Sequence, residues 1–548
     1  MKPGSRHFAL SLALTLLFYY SPAQQKTFTR QDTLRGSIGP ARNWWDVLRY
    51  DITVHPDYYS KTIRGITKIN FKVKKSGNEK MQIDLQYPMQ IDSFYLDGKK
   101  RFNKSDIMSD FENKNHFINA GSLKAGSIHT ITLFFSGKPR EAVRPPWDGG
   151  WIWRRDKMGS PWMSVACQGL GSSVWFPCKD HQSDEPDNGA SLSIIVPDTL
   201  IAIANGRLKE KKTTGQLSTY TWEVKNPINN YNIIPYIGKY VNWTETYNGE
   251  KGKLDCSYWV LDYELERAKK QFETNVKPML KAFEHWFGPY PFYEDGFKMV
   301  QSPHLGMEHQ SAIAYGNDFQ NGYRGTDLSG SGWGLKWDFI IIHEAGHEWF
   351  GNNITTNDIA DMWVHESFTN YSETLFTDYY YGKEAGNDYC IGTRKNIQND
   401  IPIIGPYGVN QEGSGDMYYK GGNMLHTIRY AIGNDEKFRQ ILRGLNKDFY
   451  HQTVNGRQIE EYISRKSGID FSKVFDQYLR TTRIPVLEYK ISGNKLLYRW
   501  TNCVKGFNLK IKTTDGKWLH PSEQWKEMKA VDNFSVDRNF YINTKKVE

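Results

Sequence analysis

The sequence predicts a multidomain α+β protein in which two β regions flank a mainly helical region. Three observations support this fold class. The chain of 548 residues is too long for one compact core. Apolar and polar residues alternate from about residue 45 to residue 241, as is typical of strands, and the alternation returns near Pro485. Between these regions, from about Leu261, apolar residues recur at helical spacing.

The first element, residues 1–23, is predicted to be a cleaved export signal. Lys2 and Arg6 give it a positive start, residues 8–20 are apolar, and Ser-Pro-Ala at residues 21–23 offers small side chains for cleavage. The apolar run is shorter than the roughly 20 residues of a membrane span, and no later segment qualifies. We therefore expect an exported protein, periplasmic or extracellular, without a transmembrane span after signal removal. An uncleaved anchor is the alternative.

The composition is that of a globular protein without a nucleic-acid partner. The chain is 39% hydrophobic and 24% charged. Its formal charge of +9 is modest for the length and forms no basic block of the kind that nucleic acid requires. The five cysteines are scattered without a CxxC pair, although Cys167 and Cys178 are close enough in sequence to form one bridge after export. The sequence does not indicate an oligomeric state.

Three domains are predicted after the export signal. Residues 24–245 form an N-terminal β domain, with turn signals such as Asp97-Gly98 between the alternating runs. Residues 246–485 are mainly helical, and residues 486–548 form a small β domain. The clearest helical patterns cover residues 261–287, a helix from Trp337, residues 424–441 and residues 474–479.

A His-Glu-Ala-Gly-His segment in the helical region predicts a catalytic zinc site. His343 and His347 are four residues apart, so on a helix both side chains project from one face and can bind one Zn²⁺ ion. Apolar neighbours predict a buried helix, where a metal ion compensates the cost of burying histidines and a carboxylate. A chance match on a buried helix is the alternative. Glu344, between the histidines, is placed to act as general base on a zinc-activated water.

Two further glutamates extend this prediction. Glu366, within the segment from Trp363 to Phe368, is the expected third zinc ligand and leaves the fourth position open, as in catalytic sites. Glu373 lies two helical turns later and is a candidate acceptor for the free ring N–H of a ligand histidine. A solvent-facing Glu373 is the alternative. The set predicts one zinc ion per chain and hydrolysis of an amide bond.

The order of several motifs resembles the aminopeptidase N family of gluzincin zinc metallopeptidases, the family that includes leukotriene hydrolase. Its members carry a GAMEN strand, an HExxHxWFGN helix, a WLNEGF segment and a Tyr-x-Lys-Gly segment. The similar segments here are, in the same order, residues 305–309, 343–352, 363–368 and 418–421. Further similarity at residues 175–178 and 475–479 extends the resemblance over most of the chain that follows the export signal.

This resemblance implies a fold and roles that spacing alone does not supply. It implies an N-terminal β-sandwich-like domain, a thermolysin-like catalytic domain and an aminopeptidase acting on peptides with a free N-terminus. Glu308 would bind the α-ammonium group of the substrate. Gly306 and Met307, on an exposed edge strand, would pair with the extended peptide. Tyr418 would stabilise the oxyanion of the reaction.

The sequence departs from the family pattern near the expected substrate site. Leu305 replaces the leading glycine of the strand motif, His309 replaces its final asparagine, and His365 replaces the asparagine before the third ligand. Ala166 stands where relatives commonly place a substrate-binding glutamine, so Gln168 is the candidate for that role. The chain also resembles a shorter form without the large C-terminal helical domain of many relatives, which implies a more open active site.

Two other functions compete with the aminopeptidase. A thermolysin-like endopeptidase would use the same zinc site, but Glu308 would repel an N-blocked or continuing chain. A non-catalytic zinc-bearing protein exported for peptide capture is disfavoured because Glu344 and the predicted ligands are intact. An epoxide hydrolase activity has no support in the sequence.

Overall fold

The computed structural model describes residues 28–77, 80–101, 107–110, 115–530 and 533–548. The predicted export signal at residues 1–23 lies outside the described residues. The described chain has β-rich regions at both ends and a mainly helical region between them, which confirms the multidomain α+β fold class. None of the described helices is long and apolar enough to cross a membrane.

The described part of the N-terminal region contains one short α-helix, α1 (Arg30–Gly36), and is otherwise built mainly of strands. These strands are β1 (Trp45–Asp57), β2 (Thr62–Val73), β3 (Lys80–Asp84), β4 (Gln90–Leu96), β5 (Lys99–Arg101), β6 (Ile107–Asp110), β7 (Asn115–Asn119), β8 (Ile128–Gly137), β9 (Gly150–Arg155), β10 (Pro161–Ala166), β11 (Ala190–Pro197), β12 (Ile201–Ile203), β13 (Arg207–Thr214), β14 (Leu217–Val224) and β15 (Tyr236–Gly238). The largest sheet has eight strands in the order β13-β14-β11-β1-β2-β8-β4-β5, and two smaller sheets have the orders β12-β15-β10-β9 and β3-β7-β6.

The alternating sequence pattern explains how these sheets share one core. Tyr50, Ile52 and Val54 of β1 are buried, whereas the residues between them are only partly buried. Because successive side chains of a strand point to opposite faces, each strand contributes every second residue to the interior. Buried residues of all three sheets belong to one hydrophobic cluster. Cys167 and Cys178 lie in this cluster as free thiols, so the pair that could have formed a bridge does not do so here.

A five-stranded sheet begins the central region. Its strands are β16 (Tyr240–Gly249), β17 (Gly252–Leu261), β18 (Phe297–Gln301), β19 (Gly306–Met307) and β20 (Ile313–Tyr315). They have the order β16-β17-β18-β20-β19, so β19 is an edge strand. The domain boundary predicted at residue 245 falls inside β16. Because β16 pairs along its whole length with β17, the sheet assigns all of β16 to the central region.

The rest of the central region is mainly helical. It contains α2 (Leu265–Phe287), α3 (Phe339–Gly346), α4 (Trp363–Tyr381), α5 (Lys383–Gly392), α6 (Tyr419–Ile432), α7 (Asp435–Asp448), α8 (Gly456–Ser467) and α9 (Ser472–Arg480), with a parallel strand pair β21 (Ile354–Thr356) and β22 (Gln452–Val454). All residues of α3 are buried, and α3 contacts α2 and α4. The helix predicted from Trp337 begins two residues later, because the Asp338 side chain accepts the first free N–H groups as an N-cap.

The C-terminal region is a small β structure. Its strands are β23 (Val486–Ser492), β24 (Lys495–Thr501), β25 (Ile511–Lys512), β26 (Trp518–Leu519), β27 (Lys526–Lys529) and β28 (Asn543–Lys546). Four of them form a sheet in the order β27-β24-β23-β28, and β25 pairs with β26. Buried residues such as Leu487 and Trp500 join the hydrophobic cluster of the helical region, so the two regions share a core.

Candidate metal centre and its cavity

Two helices bring the three predicted zinc ligands together. α3 carries His343 and has His347 at its C-cap, and α4 carries Glu366 in its first turn. Nε2 of His347 lies 3.4 Å, and Nε2 of His343 lies 3.8 Å, from Oε2 of Glu366. Ligand atoms at tetrahedral positions around a zinc ion are about 3.4 Å apart, given bond lengths of about 2.1 Å. The observed spacing therefore fits one zinc ion.

The second nitrogen of each histidine ring already has an acceptor. Nδ1 of His343 donates to Oε1 of Glu373 at 2.7 Å, and Nδ1 of His347 donates to the carbonyl oxygen of Phe350 at 3.0 Å. These bonds fix the ring orientations and leave both Nε2 atoms for a metal. Oε2 of Glu366 is buried and accepts no hydrogen bond from the described residues. A zinc ion would satisfy this oxygen, so the residues present fit the predicted cofactor.

Several carboxylates make the surroundings of the three predicted zinc ligands strongly negative. Burial lowers the pKa of His347, but the attraction of Glu366 and Glu308 outweighs it and raises the pKa to about 10. Burial raises the pKa of Glu344 to about 7, with His343 acting against the shift and Glu308 adding to it. Glu308, Glu344 and His347 form a second group of close potential ligands. The first group is the better metal site because it contains both histidine Nε2 atoms and the unpaired oxygen. A divalent cation suits such a charge distribution.

The edge strand β19 lies close to α3 and the predicted zinc ligands because residue 306 is a glycine. A Cβ atom on Gly306 would lie 2.5 Å from Oε1 of Glu344 and 2.9 Å from Cγ2 of Ile340. Any side chain here would push β19 away from α3. Gly306, Met307 and Glu344 line one cavity of about 600 Å³, which also contains the three predicted ligands.

Glu308, directly after β19, is held by residues from two regions of the chain. Its Oε1 accepts hydrogen bonds from Nε2 of Gln168 at 2.6 Å and from the hydroxyl of Tyr231 at 2.9 Å. Nδ2 of Asn352 donates to the main-chain carbonyl of Glu308 at 2.8 Å. The described residues that line the cavity include no lysine or arginine. The buried Glu308 carboxylate is therefore oriented, and a cation has to come from outside.

Tyr418 lies across the cavity at the start of α6. Its ring is stacked on that of His343, with centroids 6.0 Å apart. Burial, together with repulsion from Glu366 and Glu412, raises the pKa of Tyr418 well above its usual value. The phenol therefore stays protonated and can donate a hydrogen bond into the cavity.

The two histidines that depart from the family pattern lie outside the cavity lining. His309 is fully buried, and its Nδ1 shares a 2.6 Å hydrogen bond with the hydroxyl of Tyr236. His365 is also fully buried, and its Nε2 accepts from the main-chain N–H of Thr356 at 2.9 Å. Burial lowers the pKa of both rings. Both histidines are therefore neutral structural residues behind the site.

The other two departures from the family pattern, Leu305 and Ala166, lie in different surroundings. Leu305 lines the cavity. Ala166 is fully buried at the end of β10, in a small apolar cluster with Ala142 and Ile152. Gln168, two residues later, is the side chain that reaches Glu308.

Three residues of the site were not predicted from the sequence. Asn352 ends the family-like helix motif, so that motif offered a signal for it. Tyr231 and Glu412 lie in segments without periodic pattern or motif, and no local signal marks them. Glu373, in contrast, takes the predicted position and is fully buried.

Family models match both regions that build the cavity. A "Peptidase M1 N-terminal domain" matches residues 47–231, and a "Peptidase family M1 domain" matches residues 272–478. Together they cover more than half of the chain. Gln168 and Tyr231 lie in the first, whereas the three predicted ligands, Glu308 and Tyr418 lie in the second.

Curated relatives support the same grouping. The chain is 21% identical to tricorn protease-interacting factor F2 of Thermoplasma volcanium, over 60% of this chain and 42% of that protein. It is 22% identical to aminopeptidase B of Mus musculus, over 59% and 50%, respectively. It is 24% identical to aminopeptidase N of Lactococcus lactis subsp. lactis, over 59% of this chain and 39% of that protein. The chain thus spans about half the length of the curated relatives it matches.

Solved structures show the same fold. An M1 zinc metallopeptidase from Deinococcus radiodurans superposes with a TM-score of 0.67 at 18% identity, covering 81% of this chain and 96% of that one. A two-domain M1 zinc metallopeptidase bound to L-tryptophan gives a TM-score of 0.67 at 19% identity. This match covers 82% of this chain and 98% of the other. A β-rich N-terminal domain followed by a helical domain is thus the arrangement of the family.

Proposed function

Because the chain belongs to peptidase family M1, we propose that it is an exported zinc-dependent aminopeptidase that removes N-terminal residues from peptides. The observation that carries this proposal is the buried carboxylate of Glu308, which lines the same cavity as the metal cluster. A peptide offers an α-ammonium group at one end only. Pairing with Glu308 therefore selects the first residue of a chain. The export part of the proposal rests on residues 1–23.

The edge strand supports binding of an extended substrate. β19 pairs with β20 on one side and is the last strand of its sheet. Its other side is free to pair with a peptide main chain. A peptide bound in this way would place its first residue next to Glu308, since Glu308 follows Met307 directly.

The remaining residues supply the chemistry of hydrolysis. His343, His347 and Glu366 would hold the zinc ion, which would supply Lewis-acid chemistry towards the scissile carbonyl and the attacking water. Glu344 accepts the proton of the attacking water and passes it to the leaving amine. Tyr418 donates a hydrogen bond to the carbonyl oxygen as negative charge develops there.

Pairs of peptides that differ only by an N-acetyl group test the proposal. We expect kcat/KM to fall by about 100-fold or more on acetylation, because the charge that Glu308 binds is removed. Activity on the free peptides should disappear with a chelator and return with zinc. Equal cleavage of both members of each pair would instead support an endopeptidase.

A substitution isolates the role of Glu308. Glu308→Gln should reduce kcat/KM on free peptides while zinc content stays that of the wild type, since Glu308 is not one of the three predicted ligands. Glu273→Gln removes an exposed carboxylate on α2 and serves as the control.

A further inference from the structure

Glu412 is a cavity carboxylate to which the proposed reaction gives no role. It lines the cavity together with Gln168, Glu308 and Glu366. A Cβ atom on Gly169 would lie 3.6 Å from Oε1 of Glu412, so the carboxylate faces the turn that follows Gln168. The charged groups that act on it are Glu366 and Glu308, and no described residue donates a hydrogen bond to it.

The segment that carries Glu412 is held firmly in place. Nδ2 of Asn410 donates to the carbonyl of Gly169 at 3.1 Å, and the N–H of Ser414 donates to the carbonyl of Pro402 at 3.0 Å. Gly413 packs so closely against Ile403 that a Cβ atom would overlap the Ile403 carbonyl oxygen. Contacts on both sides of Glu412 therefore fix its position before any substrate arrives, which lowers the entropic cost of using it for binding.

The charges in the cavity leave Glu412 unmatched. Four carboxylates line the cavity, those of Glu308, Glu344, Glu366 and Glu412, and no described lysine or arginine does. One zinc ion and one substrate ammonium group bring three positive charges. Burial, with repulsion from Glu366 and Glu308, raises the pKa of Glu412 to about 7. A further cation nearby would favour its ionised form.

A basic side chain supplies the missing charge. Arginine and lysine combine a long aliphatic stem with a charged head. The cavity offers apolar wall residues, including Leu328, Phe339 and Met417, as well as the carboxylate of Glu412. Glu308 has its own two donors and lies at the proposed amine position, so Glu412 is left for the side chain.

We propose that Glu412 is a specificity-determining residue that selects peptides whose first residue is arginine or lysine. The proposal rests on the proposed aminopeptidase function of the same cavity. It adds a substrate class to that function.

The ratio of kcat/KM for arginyl and leucyl fluorogenic amides tests this role. We expect the wild type to favour the arginyl substrate, and Glu412→Gln to lower the ratio by about 10–100-fold. Glu461→Gln, an exposed carboxylate on α8, should keep the wild-type ratio. Glu412→Lys should move the preference towards glutamyl substrates, which a purely structural role would not do. An equal loss on both substrates, or a wild type without arginyl preference, would overturn the proposal.

A binding measurement separates this proposal from the proposed function. L-arginine and L-citrulline have nearly the same shape but differ in side-chain charge. Calorimetry on the zinc-loaded protein should show tighter binding of arginine in the wild type, and no preference in Glu412→Gln. This result would support Glu412 even if no amide were cleaved. Equal affinity of the wild type for both ligands would refute the role of Glu412 and leave the aminopeptidase proposal standing.

Discussion

At the scale of single residues, both histidines of the predicted zinc site depend on an acceptor that is not itself a predicted ligand. Glu373 accepts from His343 and is itself held by the hydroxyl of Tyr389 at 2.6 Å and by Nδ2 of Asn370 at 3.3 Å. Because Glu373 is fully buried, these donors and the histidine are what stabilise its charge. Changes at such supporting residues should therefore alter metal binding.

Replacing Glu373 with glutamine tests this dependence. The amide oxygen can still accept from Nδ1 of His343, but the negative charge that makes the ring a better ligand is lost. We expect the zinc affinity to fall by about 10–100-fold, measured by competition with a chromophoric chelator. Glu273→Gln is the matched control. A Glu373 variant with wild-type affinity would contradict the supporting role.

Tyr418→Phe tests the proposed hydrogen bond to the reacting carbonyl. The variant keeps the ring that stacks on His343 but loses the hydroxyl. We expect kcat to fall by about 10²–10³-fold with zinc content unchanged. Tyr419→Phe removes the neighbouring phenol from the same cavity and should have a much smaller effect. Comparable rates for the two variants would remove Tyr418 from the mechanism.

At the scale of elements, the distance between β19 and α3 decides whether a peptide paired with β19 in the proposed way would lie within reach of Glu344. Gly306→Ala should separate them, because the new methyl group would lie 2.5 Å from Oε1 of Glu344. We expect kcat/KM to fall by about 10²-fold, while zinc stoichiometry by mass spectrometry stays at one. Gly39→Ala, where no atom of the described residues lies within 4 Å of the added carbon, is the control. Full activity of Gly306→Ala would show that β19 does not hold the substrate.

Local periodicity explains which elements were predicted well. The spacing of His343 and His347 is a property of one helix, so the sequence alone located it. Residues 424–441 were predicted as one helical stretch, but Gly433 adopts a left-handed conformation (φ 69°) and divides it into α6 and α7. Tyr231 and Glu412 could not be found in this way, because their positions in the cavity depend on how distant segments pack.

At the scale of the whole molecule, the N-terminal and central regions jointly build the end of the cavity that contains Glu308. Gln168 and Tyr231 come from the N-terminal region, and both donate to Glu308 in the central region. A further bond joins Nδ2 of Asn232 to Oδ1 of Asn352 at 2.7 Å. The packing of the two regions thus sets the geometry around the Glu308 carboxylate.

Glu185 makes this packing sensitive to pH. Burial raises the pKa of Glu185 to about 7, although the neighbouring polar side chains of Thr355 and Asn229 act in the opposite direction. The folded state therefore binds the proton more tightly than the unfolded chain does. Protonation of Glu185 thus contributes to the free energy of unfolding, fully below about pH 4.5, and this contribution is lost as the pH rises through 7. The difference amounts to at most about 3 kcal/mol.

Thermal unfolding at pH 5 and pH 8 measures this contribution. Glu185→Gln removes the titration, so the decrease in melting temperature between the two pH values should be smaller than in the wild type. Glu461→Gln, which changes an exposed carboxylate, should retain the wild-type decrease. An equal decrease in the Glu185 variant would mean that Glu185 titrates normally in the folded protein.

Glu308 is held by donors from the β region, whereas the residues proposed to carry out hydrolysis come from the helical region alone. The three predicted zinc ligands and Glu344 all belong to the helical region, so a slight rotation of the β region would leave them in place. The same rotation would move Gln168 and Tyr231 away from Glu308. The carboxylate proposed to bind the α-ammonium group of the peptide would then lose its fixed orientation. If the proposed function is right, a variant with weakened packing between the two regions should still hydrolyse peptides, but it should lose its selectivity for the N-terminal residue.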